Sequence, residues 1–175
     1  MSVSGREILI MPISGVVQPD ILVVDEELRL RKFDGNYDFA FDWYQDPETV
    51  KLVDGVDEPY DREKLDRMYR YLNEHGELYF IEIKDGDTYR PIGDVTFWQE
   101  DMPIVVGEKN LRGKKIGRRV VGALIKRAKE LHYPQIFVDE IYHYNIGSQK
   151  CFESAGFVAY ETTDKGKRYR KILSE

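Results

Sequence analysis

Between Met102 and Ile141 the chain has one plausible local plan: an apolar strand, a cationic turn, a one-faced helix, and a second apolar strand. The first strand is Met102–Val106. The turn at residues 110–120 packs five cations (Arg112, Lys114, Lys115, Arg118, Arg119) and two glycines (Gly113, Gly117) into eleven residues. Ile116, Val120, Leu124, Ala128 and Leu131 then recur at helical spacing on one stripe. Ile136–Ile141 is the second strand. The first turn of a helix carries N–H groups without internal partners and the positive end of the macrodipole. Glycine removes the Cβ that would keep an anion away from those groups. Proteins hold diphosphates in this way.

The flanking segments read as a mixed α/β domain. Short apolar runs at Ile8–Ile10 and Ile21–Val24, split by Pro12, Gly15 and Pro19, predict a strand-forming extension over residues 1–27. Leu28–Phe33 alternates apolar and basic residues, as a half-buried strand does. The aromatic stretch Tyr37–Tyr44 suits a helix ending or turning at Asp46-Pro47. Asp61 is a predicted N-cap, with Leu65, Met68, Tyr69 and Leu72 at helical spacing and Gly76 as the stop. Leu78–Ile83 and Ile92–Trp98 are predicted strands around turns at Asp85-Gly86-Asp87 and Glu100-Asp101. Ile146–Ser154 is a short helix closed by Gly156. Phe157–Thr162 and Lys167–Leu173 form a hairpin.

Composition narrows the classes. Cys151 is the sole cysteine, so no internal disulfide forms and a cysteine-based metal site is implausible. No metal is expected, and a reducing, cytoplasmic location fits. No apolar run approaches the ~20 residues of a membrane span, and Pro12, Asp20 and the lack of a basic leader argue against a signal peptide. The charge is uneven. Residues 1–100 carry 11 Lys/Arg against 23 Asp/Glu, and residues 101–175 carry 15 against 9. Two kinds of partner, or simply two solvated faces, follow from that asymmetry. A nucleic-acid surface over Lys109–Lys129 is disfavoured by the acidic remainder.

The cationic turn does not fit two common phosphate motifs. A P-loop needs four residues between its glycines, whereas Gly107 and Gly113 have five between them, and Lys115 stands where the hydroxyl should be. Gly113, Gly117 and Gly122 miss the dinucleotide spacing. Arg112-Gly113-Lys114-Lys115-Ile116-Gly117 instead resembles the Arg/Gln-x-x-Gly-x-Gly/Ala loop of the GNAT family of N-acetyltransferases, with Lys115 in place of the central glycine. Downstream, Asn145, Ser148, Phe152, Gly156 and Phe157 match that family's Asn-x-x-Ser/Ala-x-x-x-Tyr/Phe-x-x-x-Gly-Phe pattern. Leu28–Phe33 and Trp43–Glu48 are similar to the branch that holds ribosomal-protein and aminoglycoside 6′-acetyltransferases. The likeness covers about residues 28–173, which would make residues 28–175 the acetyltransferase domain.

This resemblance implies a mainly antiparallel sheet flanked by helices, with a V-shaped split between two parallel strands, Met102–Val106 and Ile136–Ile141. It implies acetyl-CoA as co-substrate and direct acetyl transfer to an amine. Backbone groups of Val105 and Val106 would pair with the pantetheine arm. The loop of Arg112, Gly113, Lys114, Lys115, Ile116, Gly117 and Arg118 would hold the diphosphate, and Asn145, Ser148 and Phe152 would flank the arm and thioester. Asn145 equally suits an N-cap. A carboxylate would take the amine proton: Glu140 and Glu100 rank above Asp101. His143 reads as structural. The family's usual acid is a tyrosine at the Phe152 position, so Tyr144, Tyr142 or water is the substitute. Cys151 reads as packing rather than a nucleophile. The carboxylates Asp38, Asp42, Asp46, Glu48, Asp54, Asp57 and Glu58, among aromatics Phe41, Trp43, Tyr44 and Tyr60, suggest a cationic acceptor: an aminoglycoside, a polyamine or a protein N-terminus. They also suit a solvated acidic face over an aromatic core. A small-molecule or peptide amine is the expected partner, with homodimerisation left open and neither nucleic acid nor membrane involved. An acetyl-CoA-binding module with little turnover is the alternative.

Overall fold

The computed structural model describes residues 11–174, so the run Ile8–Ile10 lies outside the described residues. Five strands form one antiparallel sheet in the order β1 (Ile21–Val23), β2 (Leu28–Lys32), β3 (Glu77–Asp85), β4 (Thr88–Phe97) and β5 (Ile104–Val106). A second antiparallel sheet has the order β6 (Gln135–Tyr142), β8 (Gly166–Ile172), β7 (Val158–Thr162). The helices are α1 (Pro47–Asp54), α2 (Arg62–His75), α3 (Ile116–Glu130) and α4 (Ile146–Ser154), with 3-10 segments at Asp38–Gln45 and Lys109–Leu111. Among the described residues, no helix is long and apolar enough to cross a membrane.

The two sheets meet at one end only. Phe137 N–H donates to the Gln99 carbonyl (2.9 Å), the Gln99 side chain to the Gln135 carbonyl (3.2 Å), and Asp139 N–H to Asp101 Oδ1 (3.0 Å). Residue numbers rise together along both segments, so the chain entering β5 runs parallel to β6. Past Asp101 no ladder joins β5 to β6. A split therefore opens toward Val106 and Tyr142, as the V-shaped arrangement requires.

Each sheet face has its own core. On one face the α3 stripe of Ile116, Val120, Leu124 and Ala128 packs with Leu28, Tyr79, Ile81, Val95 and Phe97. On the other, Trp43, Tyr44, Tyr60, Leu65, Tyr69 and Leu72 cover Leu78 and Phe80. Alternation along β3 sends successive side chains to opposite cores. The aromatics Trp43, Tyr44 and Tyr60 are thus mainly core residues. Two of the buried carboxylates form ion pairs: Glu77 with Arg127, and Glu82 with Arg29 and Arg31. Next to β1, the Gln18 side chain, 5% exposed, donates to the Leu78 carbonyl and ties the N-terminal arm to the sheet.

Asp46-Pro47 departs from the sequence reading. It starts a helix instead of ending one. Asp46 Oδ2 accepts from Thr49 N–H (3.0 Å), and Pro47 fills the first helical position, where an N–H has no partner to lose. The aromatic stretch before it winds as a 3-10 segment. Asp61 caps α2 through Lys64 N–H (2.8 Å), as predicted. Gly76 does end α2, but in an extended conformation. A β-carbon there would lie 2.5 Å from the Trp98 ring, so glycine is required by packing rather than by a left-handed cap.

Candidate active site

The mouth of the split is built by β5 and the turn that follows it. Thr96 N–H donates to the Pro103 carbonyl and Gly107 N–H to the Ile92 carbonyl. Hydrogen-bonded pairs alternate in an antiparallel ladder, so Asp94 and Val105, opposite each other, form the bonded pair between them. Val105 therefore turns its backbone groups toward β4. The groups facing the split belong to Ile104 and Val106. Of the two predicted strand contacts, Val106 lies on the open edge and Val105 does not.

After Val106 the chain passes beneath Trp43, whose indole lies so close to Gly107 that no side chain fits. Gly113 then adopts φ +77° and Lys115 φ +63°. The second value explains why a glycine suits this position in the resembling loop: a left-handed non-glycine residue costs about 1–2 kcal/mol. Six consecutive backbone N–H groups, Gly113 through Arg118, have no acceptor among the described residues. The first helical bond is Arg119 N–H to the Lys115 carbonyl. Gly113, Lys114, Lys115 and Arg118 are exposed. Lys114, Lys115 and Arg118 form no ion pair among the described residues, whereas Arg119 is paired with Asp25 and Glu27. This concave row of amides, flanked by free cations, fits the diphosphate of a nucleotide cofactor. Gly117 sits against Cys151 Sγ, and burial pushes that thiol up to about 11 despite the nearby Arg118, so Cys151 is a packing residue.

Helix α1 bridges the mouth. At its N-terminal end, Lys109 pairs with Asp46 (2.8 Å) and Glu48 (3.3 Å), and Arg112 donates to Thr49 Oγ1 (2.7 Å). At its other end, the Tyr144 hydroxyl donates to the Lys51 carbonyl (2.7 Å), and the Tyr142 ring lies against Gly55. Tyr142 and Tyr144 stack at 5.4 Å. Asp54 accepts from the Tyr60 hydroxyl (3.2 Å) and Lys64 (2.9 Å) nearby. Burial, then Tyr142 and Asp54, raises the Tyr144 hydroxyl pKa, so the group stays protonated, with its hydrogen on the Lys51 carbonyl.

The remaining candidates are dispersed. Glu140, half-buried on β6, accepts from Thr163 Oγ1 through Oε2 (2.5 Å). Glu100 is exposed in the turn at the closed end of the split, next to Asp101, and Glu140 directly follows Asp139, the residue that Asp101 clasps; Tyr144 lies further on, toward the open end. Burial raises Asp101 to about 6, against the two N–H groups it accepts from Asp139 and Met102; it clasps the sheets together. Asn145 Oδ1 accepts from Ser148 N–H (3.2 Å), which is the cap role, and Ser148 is half-buried. Phe152 is 2% exposed, edge-on to Phe157 at 5.2 Å, in the α3–α4 core. His143 contributes main-chain bonds: its N–H donates to the Lys165 carbonyl and its carbonyl accepts from Gln149.

Sequence reading passed over Asp94. It is 2% exposed and accepts from the Tyr44 (2.7 Å) and Tyr69 (2.9 Å) hydroxyls. A carboxylate inside the otherwise apolar Ile92–Trp98 run was the available signal. Burial raises it to about 6, although the two hydroxyls pull downward. The folded protein thus binds this proton more tightly than the unfolded chain between about pH 4 and 6. Asp94's contribution is most favourable below the ordinary carboxylate range and is lost as pH rises through about 6, to the extent of roughly 3 kcal/mol. Urea titrations of wild type and Asp94→Asn across that window check this: the stability difference between them should shift in favour of Asn by that order as pH rises.

Comparison with known proteins agrees with this geometry. The Acetyltransferase (GNAT) domain profile matches residues 27–158. An uncharacterized protein of Methanocaldococcus jannaschii is 27% identical over 171 residues; they span 93% of this chain but 34% of that protein, so the chain spans about a third of the relative's length. The crystal structure of a domain from Methanocaldococcus jannaschii superposes with a TM-score of 0.74 at 26% identity, covering 85% of this chain and 100% of that one. Spermidine N-acetyltransferase from Vibrio cholerae, solved with CoA and spermine, gives 0.67 at 16% identity, with 85% and 96% covered. A ribosomal L7/L12 alpha-N-protein acetyltransferase solved with coenzyme A gives 0.70 at 13%, with 87% and 98% covered; these last two show the shared fold. With the profile spanning most of the sequence and the split, turn and sheet order in place, the chain belongs to the GNAT acetyltransferase family.

Proposed function

We propose that this protein is an acetyl-CoA-dependent N-acetyltransferase that transfers acetyl directly to a primary amine of a cationic acceptor. The observation that carries this reading is the row of six unpaired amides from Gly113 to Arg118, next to the open backbone edge of β5. Bound there, acetyl-CoA supplies an activated thioester carbonyl. The amides hold the diphosphate, Lys114, Lys115 and Arg118 balance its charge, and the edge groups of Ile104 and Val106 direct the arm into the split. Asn145 and Ser148 flank it at the start of α4. Just past the Asp101–Asp139 clasp, Glu140 keeps Oε1 free to take the amine proton while Thr163 holds Oε2. Tyr144 or Tyr142 supplies a proton to the departing thiolate.

Support for a cationic acceptor is narrower than the count of carboxylates suggests. Asp38, Asp46, Glu48 and Asp54 are paired with Arg62, Lys109 or Lys64. Asp42, Asp57 and Glu58 are exposed and have no ion pair among the described residues, so they carry the attraction. The spermine complex of the Vibrio cholerae protein is consistent with an acceptor of this kind. A donor-binding module with little turnover is the second reading. It is favoured by Phe152, which has no proton to give. Measuring thiol release from acetyl-CoA across a panel of polyamines, aminoglycosides, N-terminal peptides and neutral amines separates the two. Turnover is expected with cationic amines; release with none of them leaves the binding module, and activity confined to neutral amines removes the cationic acceptor.

A further inference from the structure

We propose that Arg112 and Thr49 fix the register in which the donor's amide-bearing arm pairs along β5, an inference that rests on the donor site above and deepens it. The open edge of β5 offers the N–H and C=O of Ile104 and Val106, and the carbonyl of Val106 is already used: Arg112 Nε donates to it at 2.9 Å. The guanidinium is held from behind. Its Nη2 donates to Thr49 Oγ1 at 2.7 Å, and Thr49, 1% exposed, turns its own hydroxyl hydrogen to Asp46 Oδ2 at 2.8 Å. A hydroxyl has one hydrogen, so giving it to Asp46 leaves only lone pairs for Arg112. Asp46 stays an anion to about pH 2, because Lys109 and the Thr49 groups outweigh the upward pull of its burial. Asp46 thus accepts from both Lys109 and Thr49, and Arg112 donates to both Thr49 and Val106, a continuous hydrogen-bond chain joining α1 to the donor edge.

The consequence is a choice of register. An extended arm with alternating amide groups pairs with whichever edge groups are free. With the Val106 carbonyl occupied, its carbonyl meets Val106 N–H and its next N–H meets the Ile104 carbonyl. That sets how deep the arm lies and hence where the thioester stands relative to Tyr142 and Tyr144. Arg112 and Thr49 are positioning residues here, since neither touches the reacting atoms.

The test is calorimetric titration of wild type, Thr49→Val and Thr49→Ser with two probes: CoA, which has the arm, and ADP, which has a diphosphate without it. Thr49→Val is expected to weaken CoA binding about tenfold, the loss of one charge-assisted hydrogen bond, while ADP binding changes less than twofold and Thr49→Ser restores CoA binding. In turnover assays Thr49→Val should raise KM for acetyl-CoA more than it lowers kcat. Should Thr49→Val not fold, Arg112→Lys, which cannot span both acceptors, is expected to show the same selectivity. Equal weakening of CoA and ADP, or CoA binding by Thr49→Val at the wild-type level, overturns the register role. A wild-type protein that binds neither probe overturns the donor site itself.

Discussion

Arg127→Ala is expected to destabilise the fold by about 3–5 kcal/mol, lowering the melting temperature by roughly 10 °C. The Glu77 side chain is fully buried, and Arg127 grips it at two points, Nε to Oε1 (2.9 Å) and Nη2 to Oε2 (2.7 Å). Tyr79 adds a third donor at 3.0 Å. Removing the guanidinium leaves a desolvated anion with one neutral hydroxyl for company. The pair also ties the last turn of α3 to the first residue of β3, so the loss reaches both cores. The double replacement Glu77→Leu/Arg127→Met removes both charges and is expected to cost less than the single one, because the penalty arises from the stranded charge. Urea denaturation of both variants checks this. A single-variant loss below about 1 kcal/mol would mean that water reaches Glu77.

Gly113→Val should do the opposite: small damage to the fold and large damage to function. Nothing lies within 4 Å of a β-carbon at Gly113, so the main structural cost is the left-handed backbone at φ +77°, about 1–2 kcal/mol. The branched side chain would, however, stand in the row of free amides and keep a diphosphate off them. Losing two charge-assisted bonds of about 1.5–3 kcal/mol each weakens CoA binding by about 100-fold or more. Calorimetry and a thermal melt separate the two effects. Unchanged CoA affinity in a folded Gly113→Val protein would place the diphosphate elsewhere.

Both variants sit where sequence signals differ in reach. Gly113 and its neighbours were legible because glycine, cations and the onset of an apolar stripe occur within a dozen residues. Helix ends at Asp61, Gly76 and Asn145 were legible for the same reason, since a cap acts over three or four positions. Asp46-Pro47 was misread because both signals, a helix stop before proline and a cap followed by proline at the first position, use the same two residues. Asp94 passed unnoticed because only its neighbours Tyr44 and Tyr69, 50 and 25 positions away, make it a buried, doubly bonded carboxylate.

The sequence by itself determined the mixed α/β class and the place of the glycine- and cation-rich turn. These depend on short-range backbone preferences and on residue periods of two and 3.6. Tertiary structure alone decided which groups of β5 face the split, because that depends on its pairing with β4. It also decided that Asp101 clasps Asp139 and so sets Glu100 and Glu140 beside the closed end of the split, and that Arg112 is held by Thr49, 63 positions away. Hydrogen-bond partners and desolvation are set by which distant segments fold against a residue, and no local period encodes them.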